Sequence, residues 1–234
     1  IRKSKKKASK TIVSIFINPK QFNNKKDFKR YPKNHKRDLS ILKNLKVNYL
    51  YLPKPKQVYD SRRVKKIQIK KKDKILCAKY RKGHVEGVLD VMDRLTKRIK
   101  PKFIFMGIKD YQQLHLVKNF VEKKHRCKIV PCKTIRNSNK LALSSRNLLL
   151  SKKGKSKAEK LTKNLIKFKR NLKKIKDIQK AITLKKKELS QTYNINIEYL
   201  ELRNEKNLKL INKTKSSKLF IAFYLDKIRL IDNI

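Results

Sequence analysis

Short apolar runs and amphipathic segments alternate along the first 151 residues. Residues 11–17 are apolar and rich in β-branched side chains, and the run stops at Asn18 and Pro19, which is typical of a buried strand. Further strands are predicted at 47–52, 103–106 and 128–130, and Ile67 and Ile69 suggest another. Apolar residues at helical spacing predict helices at 35–45, 87–99 and 114–121. This alternation indicates a parallel sheet that is covered by helices on both faces.

The pattern changes after Ser151. Apolar residues between Ala158 and Ile175 recur at intervals of three and four, which predicts a long amphipathic helix, and a second helix is expected near 177–190. Three strand-like runs follow at 195–202, 219–225 and 228–231, close enough together to suggest an antiparallel sheet. We therefore predict an α/β domain at 1–151 and a small α+β domain at 152–234.

Clusters of polar residues follow the predicted strands at 18–22, 107–113 and 144–147. Ligands of open parallel sheets bind at the carboxyl ends of the strands. We therefore expect these three loops to form one binding cradle.

The charge of the chain is extreme, with 68 Lys and Arg against 17 Asp and Glu and a net charge of +51. Such a charge suggests nucleic acid, but the cations are spread along the whole chain and the aromatic residues lie mostly in apolar segments. This distribution favours the interpretation that lysine simply occupies solvent-exposed positions, and that binding to polyanions is non-specific. A basic RNA-associated protein remains the alternative.

Several classes of protein are disfavoured by composition. No run of about 18 apolar residues is present, the mean hydropathy is −0.73, and the first ten residues lack the apolar run of a signal peptide. The three cysteines form no C-x-x-C pair. We expect a cytoplasmic protein with no membrane partner.

Residues 107–113 offer the clearest candidate chemistry. Gly107 directly follows a predicted strand and allows a ligand to approach the backbone, Lys109 can hold a phosphate, and Asp110 can accept hydrogen bonds from ribose hydroxyls. The alternative is an ordinary turn between strand and helix in which Asp110 only caps the helix.

Other polar clusters are weaker signals alone. Ser144, Ser145 and Arg146 present two hydroxyls and a guanidinium, a set that suits phosphate oxygens, although a serine-capped turn explains them too. The amides at 18–22 can grip carboxylate or hydroxyl groups, and 81–84 can form an anion pocket. The residues alone indicate an α/β protein with a candidate nucleotide site.

Taken together, these segments resemble the pantoate–β-alanine ligase family. The matching segments occur in the family's order, namely 11–22, Arg30-Tyr31-Pro32, Gly83-His84 with Gly87-Val88, 107–113, 141–147 and 229–233. The resemblance implies a Rossmann-like parallel sheet of the nucleotidyltransferase type, a smaller C-terminal domain that covers the active site, and a homodimer. It also implies that pantoate and β-alanine are joined to pantothenate with ATP and Mg²⁺, through a pantoyl adenylate, with release of pyrophosphate and AMP.

The resemblance assigns roles to residues by position. Positions that match ATP-binding ones are Gly107, Ile108, Lys109, Asp110, Ile135, Leu143, Ser144, Ser145 and Arg146. Lys109, Ser144 and Arg146 are also the predicted catalytic residues. Gln21 and Gln113 match the glutamines that hold pantoate, Gln21 also near β-alanine, while Asn18 and His84 match supporting positions of that pocket. Asp38 matches an acidic position near the metal, although Arg37 stands where the family has a second acid.

The sequence departs from the family in some positions. The family's N-terminal strand and its His-x-Gly-His segment have no counterpart here, and Ile1 aligns just after them. Because those histidines stabilise the phosphates, we predict little turnover for these 234 residues, and a degenerate, non-catalytic relative is a further alternative. Ile108, Lys82 and Lys140 replace Glu, Pro and Gly of the family pattern, which affects the geometry of their loops.

Overall fold

The structure is a computed structural model that describes residues 1–23, 25–59 and 67–234. In chain order the helices are α1 (Arg2–Lys5), α2 (Lys25–Arg30), α3 (His35–Asn44), α4 (Pro55–Val58), α5 (Leu76–Tyr80), α6 (His84–Ile99), α7 (Tyr111–Lys124), α8 (Lys152–Asn171) and α9 (Ile178–Tyr193). The strands are β1 (Ile12–Ser14), β2 (Tyr49–Tyr51), β3 (Phe103–Gly107), β4 (Lys128–Cys132), β5 (Asn196–Asn204), β6 (Ser217–Leu225) and β7 (Ile228–Asn233).

The chain divides into two compact units. The first unit comprises Ile1–Lys74, Arg81–Met106 and Leu116–Val130. The second comprises Ile75–Tyr80, Gly107–His115 and Pro131–Ile234. A domain boundary at 151/152 stays a prediction.

Short parallel strands and helices build the first unit, as predicted. β1 and β2 pair in parallel with Val13 opposite Leu50, and the ladder continues as the Ile15 amide donates to the Tyr51 carbonyl at 3.0 Å. β3 pairs with β4. Connections through helices are what a parallel arrangement requires, because a two-residue hairpin cannot join parallel strands. The predicted α/β class is confirmed.

A cleft runs along the free edges of β1 and β3. Its lining comes from residues 9–14 and 103–105 together with one face of α6. Within the described part of the chain β1 pairs only with β2 and β3 only with β4. The expectation that residues 11–17 form a buried strand is therefore wrong in extent and in burial. The strand covers Ile12–Ser14, none of its residues is buried, and Ile12 is 40% exposed, because no described segment covers this edge. Thr96 on α6 also lines the cleft, and its hydroxyl is buried without a partner among the described residues.

Helix α6 is the longest helix of the first unit. It begins three residues before the predicted start, after Gly83, whose φ of +78° places it in the left-handed region that favours glycine. The apolar face buries Val85, Val88 and Val91. The helix ends at Ile99, ahead of Pro101, as the pattern predicted.

The second unit contains an antiparallel sheet in the order β5-β6-β7, so the predicted sheet is confirmed. Leu200 lies opposite Ile221, and Ile221 lies opposite Asp232 on the other side. Helices α8 and α9 contribute leucines and isoleucines to the core that the sheet forms, among them Leu161, Leu165 and Leu189. Their positions at helical spacing explain why the sequence predicted both helices.

Two further results concern single segments. Residues 67–70 form no strand, so the suggestion drawn from Ile67 and Ile69 is wrong, and 60–66 lie outside the described residues. The alternation of apolar and polar residues over 67–70 has no neighbouring strand in the described chain to pair with. Among the described residues no helix is both long enough and apolar enough to cross a membrane.

Candidate functional site

The turn after β3 carries Lys109 and Asp110. Residues Ile108–Asp110 form a single 3₁₀ turn, and α7 begins at the next residue. The Lys109 Nζ lies 3.0 Å from Asp110 Oδ1. Among the described residues the Asp110 carboxylate forms this ion pair and no hydrogen bond to a helix amide. The alternative, in which Asp110 only caps the helix, is therefore not observed. A Cβ placed on Gly107 would meet no atom within 4 Å, so a ligand can approach the backbone here.

A second loop, residues 135–147, folds back on itself as a small hairpin. Arg136 and Ala142 form an antiparallel bridge, and the Leu143 amide donates to the Ile135 carbonyl at 2.9 Å. The hairpin leaves the side chains of Ile135 and Leu143 66% and 55% exposed. Ser144 then caps the 3₁₀ turn Ser145–Leu149, since its Oγ accepts from the Arg146 amide at 3.3 Å.

These two loops meet at one pocket in the second unit. Lys109, Ser144 and Arg146 all line it, so the pocket brings together 107–113 and 144–147, two of the three loops that were predicted to form one cradle. Arg229 and Asp232 of β7 line it as well. The charged lining therefore consists of three cations and one carboxylate, and guanidinium groups are planar donors whose geometry suits phosphate oxygens. The pocket can bind a phosphorylated anion.

Arg229 also lines the pocket, although no role for it was predicted. Its Nη2 lies 2.6 Å from Glu198 Oε2, and its Nη1 lies 3.6 Å from Cys77 Sγ. Burial lowers the pKa of Arg229, but hydrogen bonding to Glu198 and the nearby acidic groups outweigh burial and raise that pKa overall. Arg229 is therefore a fixed cation. A functional role for Arg229 was indicated only weakly, by its place in the segment 229–233 that resembles the family.

Asn18 lies in the first unit and is buried, at 1% exposure. Its Oδ1 accepts from the Lys20 amide at 3.1 Å and from the Tyr59 hydroxyl at 2.6 Å. Its Nδ2 donates to the Gly87 carbonyl at 2.9 Å. All of these partners are protein groups, so Asn18 ties the turn after β1 to α6. The pKa of Tyr59 is raised, chiefly by burial and also by the charge of Asp90, which keeps its hydroxyl a donor. No motif in the sequence pointed to Tyr59.

His84 holds the backbone of Gln21. The Gln21 carbonyl lies 2.7 Å from His84 Nδ1 and 3.2 Å from Arg81 Nη2. A carbonyl only accepts, so Nδ1 carries the hydrogen, and in the neutral ring Nε2 accepts from Arg81 Nη1 at 3.0 Å. The predicted residues Asn18, Gln21 and His84 thus form one cluster in the first unit.

The side-chain amide of Gln21 forms no hydrogen bond within the described part of its unit, and its residue is partly exposed. Gln113 lies in the first turn of α7, belongs to the same unit as the pocket, and is likewise partly buried. Both glutamines therefore keep a donor and an acceptor for a ligand.

The described residues give little support for a protein metal cage. Asp38 lies in the first turn of α3, where a carboxylate is favourable because of the helix dipole. No group of three or more His, Cys, Asp or Glu side chains in residues 1–23, 25–59 and 67–234 can hold a metal ion. Asp38 thus offers one carboxylate, which does not by itself make a Mg²⁺ site.

Comparison with known proteins agrees with this geometry. The model of the pantoate-beta-alanine ligase family matches residues 1–234. A pantothenate synthetase of Campylobacter hominis is 36% identical over 237 residues, which cover 100% of this chain and 86% of that protein. One from Leptospira interrogans is 37% identical over 239 residues, with 97% and 81% covered.

Solved structures are similar as well. Pantothenate synthetase from Thermus thermophilus superposes with a TM-score of 0.91 at 27% identity, covering 99% of this chain and 85% of that one. Pantoate-beta-alanine ligase from Francisella tularensis, in complex with beta-gamma ATP and beta-alanine, has a TM-score of 0.82 at 33% identity, covering 100% and 82%. A match of this extent, over the whole chain and by both sequence and structure, shows that the chain belongs to the pantoate–β-alanine ligase family.

Proposed function

We propose that this enzyme joins pantoate and β-alanine to pantothenate at the expense of ATP, through a pantoyl adenylate. The main observation in support of this proposal is the pocket that Lys109, Ser144 and Arg146 line together. The Francisella tularensis relative was solved with beta-gamma ATP and beta-alanine, which supports the same two ligands for this chain.

ATP binds in this pocket with its phosphates at the cationic side chains. Lys109, Arg146 and the hydroxyls of Ser144 and Ser145 hold the phosphates, and Gly107 and Asp110 hold the ribose. Ile135 and Leu143, whose exposed side chains lie on paired strands of the hairpin, pack on the adenine together with the Ile135 backbone. The Lys109–Asp110 ion pair is half exposed on its acidic side, so it is weak and Lys109 can turn to a phosphate.

The chemistry follows from these positions. The carboxylate of pantoate is ionised at neutral pH and needs no general base. It attacks the α-phosphate, the bond to the β-phosphate breaks, and pyrophosphate leaves. Lys109 and Arg146 stabilise the negative charge that accumulates on the phosphoryl oxygens. The amine of β-alanine then attacks the acyl carbon of the adenylate, and AMP leaves as the amide forms.

The remaining assignments belong to the same proposal. The amide of Gln113 orients pantoate for an in-line attack, and Gln21 is assigned to pantoate and β-alanine by the resemblance. Asn18 and His84 act through the backbone of the turn that carries Gln21. By the resemblance, Asp38 is the candidate carboxylate for Mg²⁺, and a metal ion bound together with ATP would neutralise part of the charge of the phosphates. Homodimerisation and a cytoplasmic location stay predictions.

The test measures thermal stabilisation and ATP affinity of the 234-residue chain, with and without pantoate, and then release of AMP and pyrophosphate. Lys109→Met should weaken ATP binding about ten- to a hundredfold, the usual loss for a hydrogen bond to a charged group. Lys160→Met, on the exposed face of α8, removes the same charge outside the pocket and should leave ATP affinity unchanged.

Two results would contradict the proposal. One is that ATP and pantoate fail to stabilise the chain. The other is that Lys109→Met and Lys160→Met weaken ATP binding equally, since ATP would then respond only to the net charge. RNA binding that survives physiological salt would favour the RNA-associated alternative.

A further inference from the structure

The last two residues of β7 contact both loops of the nucleotide pocket. We call Asp232 and Asn233 the C-terminal clamp. We propose that this pair positions Lys109 and the 135–147 hairpin for ATP, so that Asn233 is a positioning residue of the reaction. The inference rests on the proposed function, because it takes Lys109 to be a phosphate ligand.

Asn233 holds the turn that carries Lys109. Its Nδ2 donates to the Ile108 carbonyl at 2.9 Å and to the Lys109 carbonyl at 2.7 Å. Both hydrogens of one amide are thus used on two consecutive carbonyls of a single 3₁₀ turn. Since Asn233 is buried at 5% exposure, water does not replace these bonds easily. The turn is fixed by its backbone, which leaves the side chain of Lys109 available.

Asp232 holds the other loop. Arg136, next to Ile135 in the hairpin, donates through Nη1 to Asp232 Oδ2 at 2.6 Å and through Nη2 to Asp232 Oδ1 at 2.9 Å. Arg136 Nη2 also lies 3.1 Å from the Asn233 carbonyl. A two-point pair of this kind fixes orientation as well as distance. The hairpin that carries Leu143 and Ser144 is therefore tied to the same strand end.

The two halves of the clamp are joined to each other and to a rigid element. The backbone amide of Asn233 donates to Asp232 Oδ1 at 2.8 Å. Asp232 lies opposite Ile221 and Asn233 opposite Phe220 on β6, in the core sheet of the unit. Sites supported by strands are held more closely than sites supported by loops. The clamp thus fixes the two loops that are proposed to bind the phosphates in position relative to the sheet.

The variant Asn233→Ala removes both bonds to the Lys109 turn. We expect its dissociation constant for ATP to rise about tenfold, as the loss of two neutral hydrogen bonds implies. Asn204→Ala is the matched control, because Asn204 also makes two side-chain bonds to backbone in the second unit, from the amides of Lys206 and Asn207. Asn204→Ala should lower the melting temperature without changing ATP affinity. Asn233→Leu, which has a similar size, carries no charge and lacks both donors, serves if the alanine variant fails to fold.

A double-mutant cycle separates positioning from general destabilisation. If Asn233 acts through Lys109, Asn233→Ala should weaken ATP binding about tenfold in the native background but by less than about twofold in the Lys109→Met background. Equal effects in both backgrounds, or an Asn233 variant that folds and binds ATP as the native chain does, would overturn the inference. If the native chain binds no ATP, the proposed function fails first, and the two failures are thereby distinguished.

Discussion

The Gln21 turn and the Lys109 turn, which carry proposed functional residues, are each held by side chains that donate hydrogen bonds to backbone carbonyls. The donors differ between the two turns. In the first unit the Gln21 carbonyl accepts from His84 at 2.7 Å and from Arg81 at 3.2 Å. In the second unit the Ile108 and Lys109 carbonyls accept from Asn233 at 2.9 and 2.7 Å. Two ionisable donors converge on one carbonyl in the first case, whereas one neutral amide bridges two carbonyls in the second.

This difference predicts different sensitivities to substitution. Removing the His84 side chain leaves the Gln21 carbonyl its bond from Arg81, whereas removing the single Asn233 side chain takes a donor from both the Ile108 and the Lys109 carbonyl. The Gln21 turn should therefore tolerate the loss of one partner better than the Lys109 turn does. The first turn has a second constraint as well, the close approach of α6 at Gly87.

The largest expected effect comes from removing that close approach. A Cβ on Gly87 would lie 2.5 Å from the Lys20 carbonyl oxygen and 3.1 Å from the Gln21 amide nitrogen, both of them backbone atoms. Gly87→Ala should destabilise the fold by about 1–3 kcal/mol, as overpacking usually does, and should weaken pantoate binding by displacing Gln21. Urea unfolding and calorimetric titration with pantoate measure the two effects.

Gly107→Ala is the control for stability, because its added methyl would meet no atom within 4 Å and its φ of −71° suits alanine. Its free energy of unfolding should stay within about 0.5 kcal/mol of the native value. A Gly87→Ala variant as stable as the Gly107→Ala variant would show that the turn yields easily, and that the contact with α6 does not fix Gln21.

An intermediate effect concerns the histidine that holds the Gln21 turn. His84→Asn places an amide donor near the position of Nδ1, so we expect it to keep the bond to the Gln21 carbonyl, whereas His84→Ala loses that bond. Calorimetric titration should show pantoate affinity about fivefold weaker in His84→Ala than in His84→Asn, as the loss of one hydrogen bond implies. Equal affinities of the two variants would mean that the bond from His84 does not hold the turn for pantoate.

The smallest effect comes from a third contact of a side chain with backbone, at the start of α8 in the second unit. Asp226 Oδ2 accepts from the amide and the hydroxyl of Ser151, at 2.9 and 2.8 Å, at the start of α8. The hydrogen bond from the Ser151 backbone, followed by that from its side chain, lowers the pKa of Asp226. Because the folded pKa lies below the unfolded one, the stabilisation is present above the unfolded pKa and is lost as the pH falls through the folded pKa.

Asp226→Asn should therefore be slightly less stable than the native chain at pH 7 and should converge with it below about pH 4, near the ordinary aspartate pKa. Urea unfolding over this range measures the difference. Because Asp226 is exposed, solvent can screen this interaction. A difference in unfolding free energy between the two proteins that does not change with pH would show that it does.

Much of the fold could be predicted because apolar periodicity reports directly on burial. The leucines of α8 and the leucine, isoleucine and phenylalanine residues of β5 and β6 lie in the core where the spacing placed them. The strand suggested at Ile67 and Ile69 failed, since alternation alone does not supply a pairing partner. The structure brings Lys109, Ser144 and Arg146, three of the predicted site residues, to one pocket, and their roles stay predictions.

The sequence by itself determined the alternation of strands and helices, the antiparallel sheet near the C-terminus and the loops that carry Lys109 and Ser144. Only the tertiary structure showed that Asn233 holds the Lys109 turn, that Asp232 holds Arg136, and that Tyr59 holds Asn18. These pairs lie 124, 96 and 41 residues apart, respectively. A hydrogen bond needs its two atoms within about 3 Å of each other, and local periodicity carries no information about which distant residues the folded chain brings to that distance.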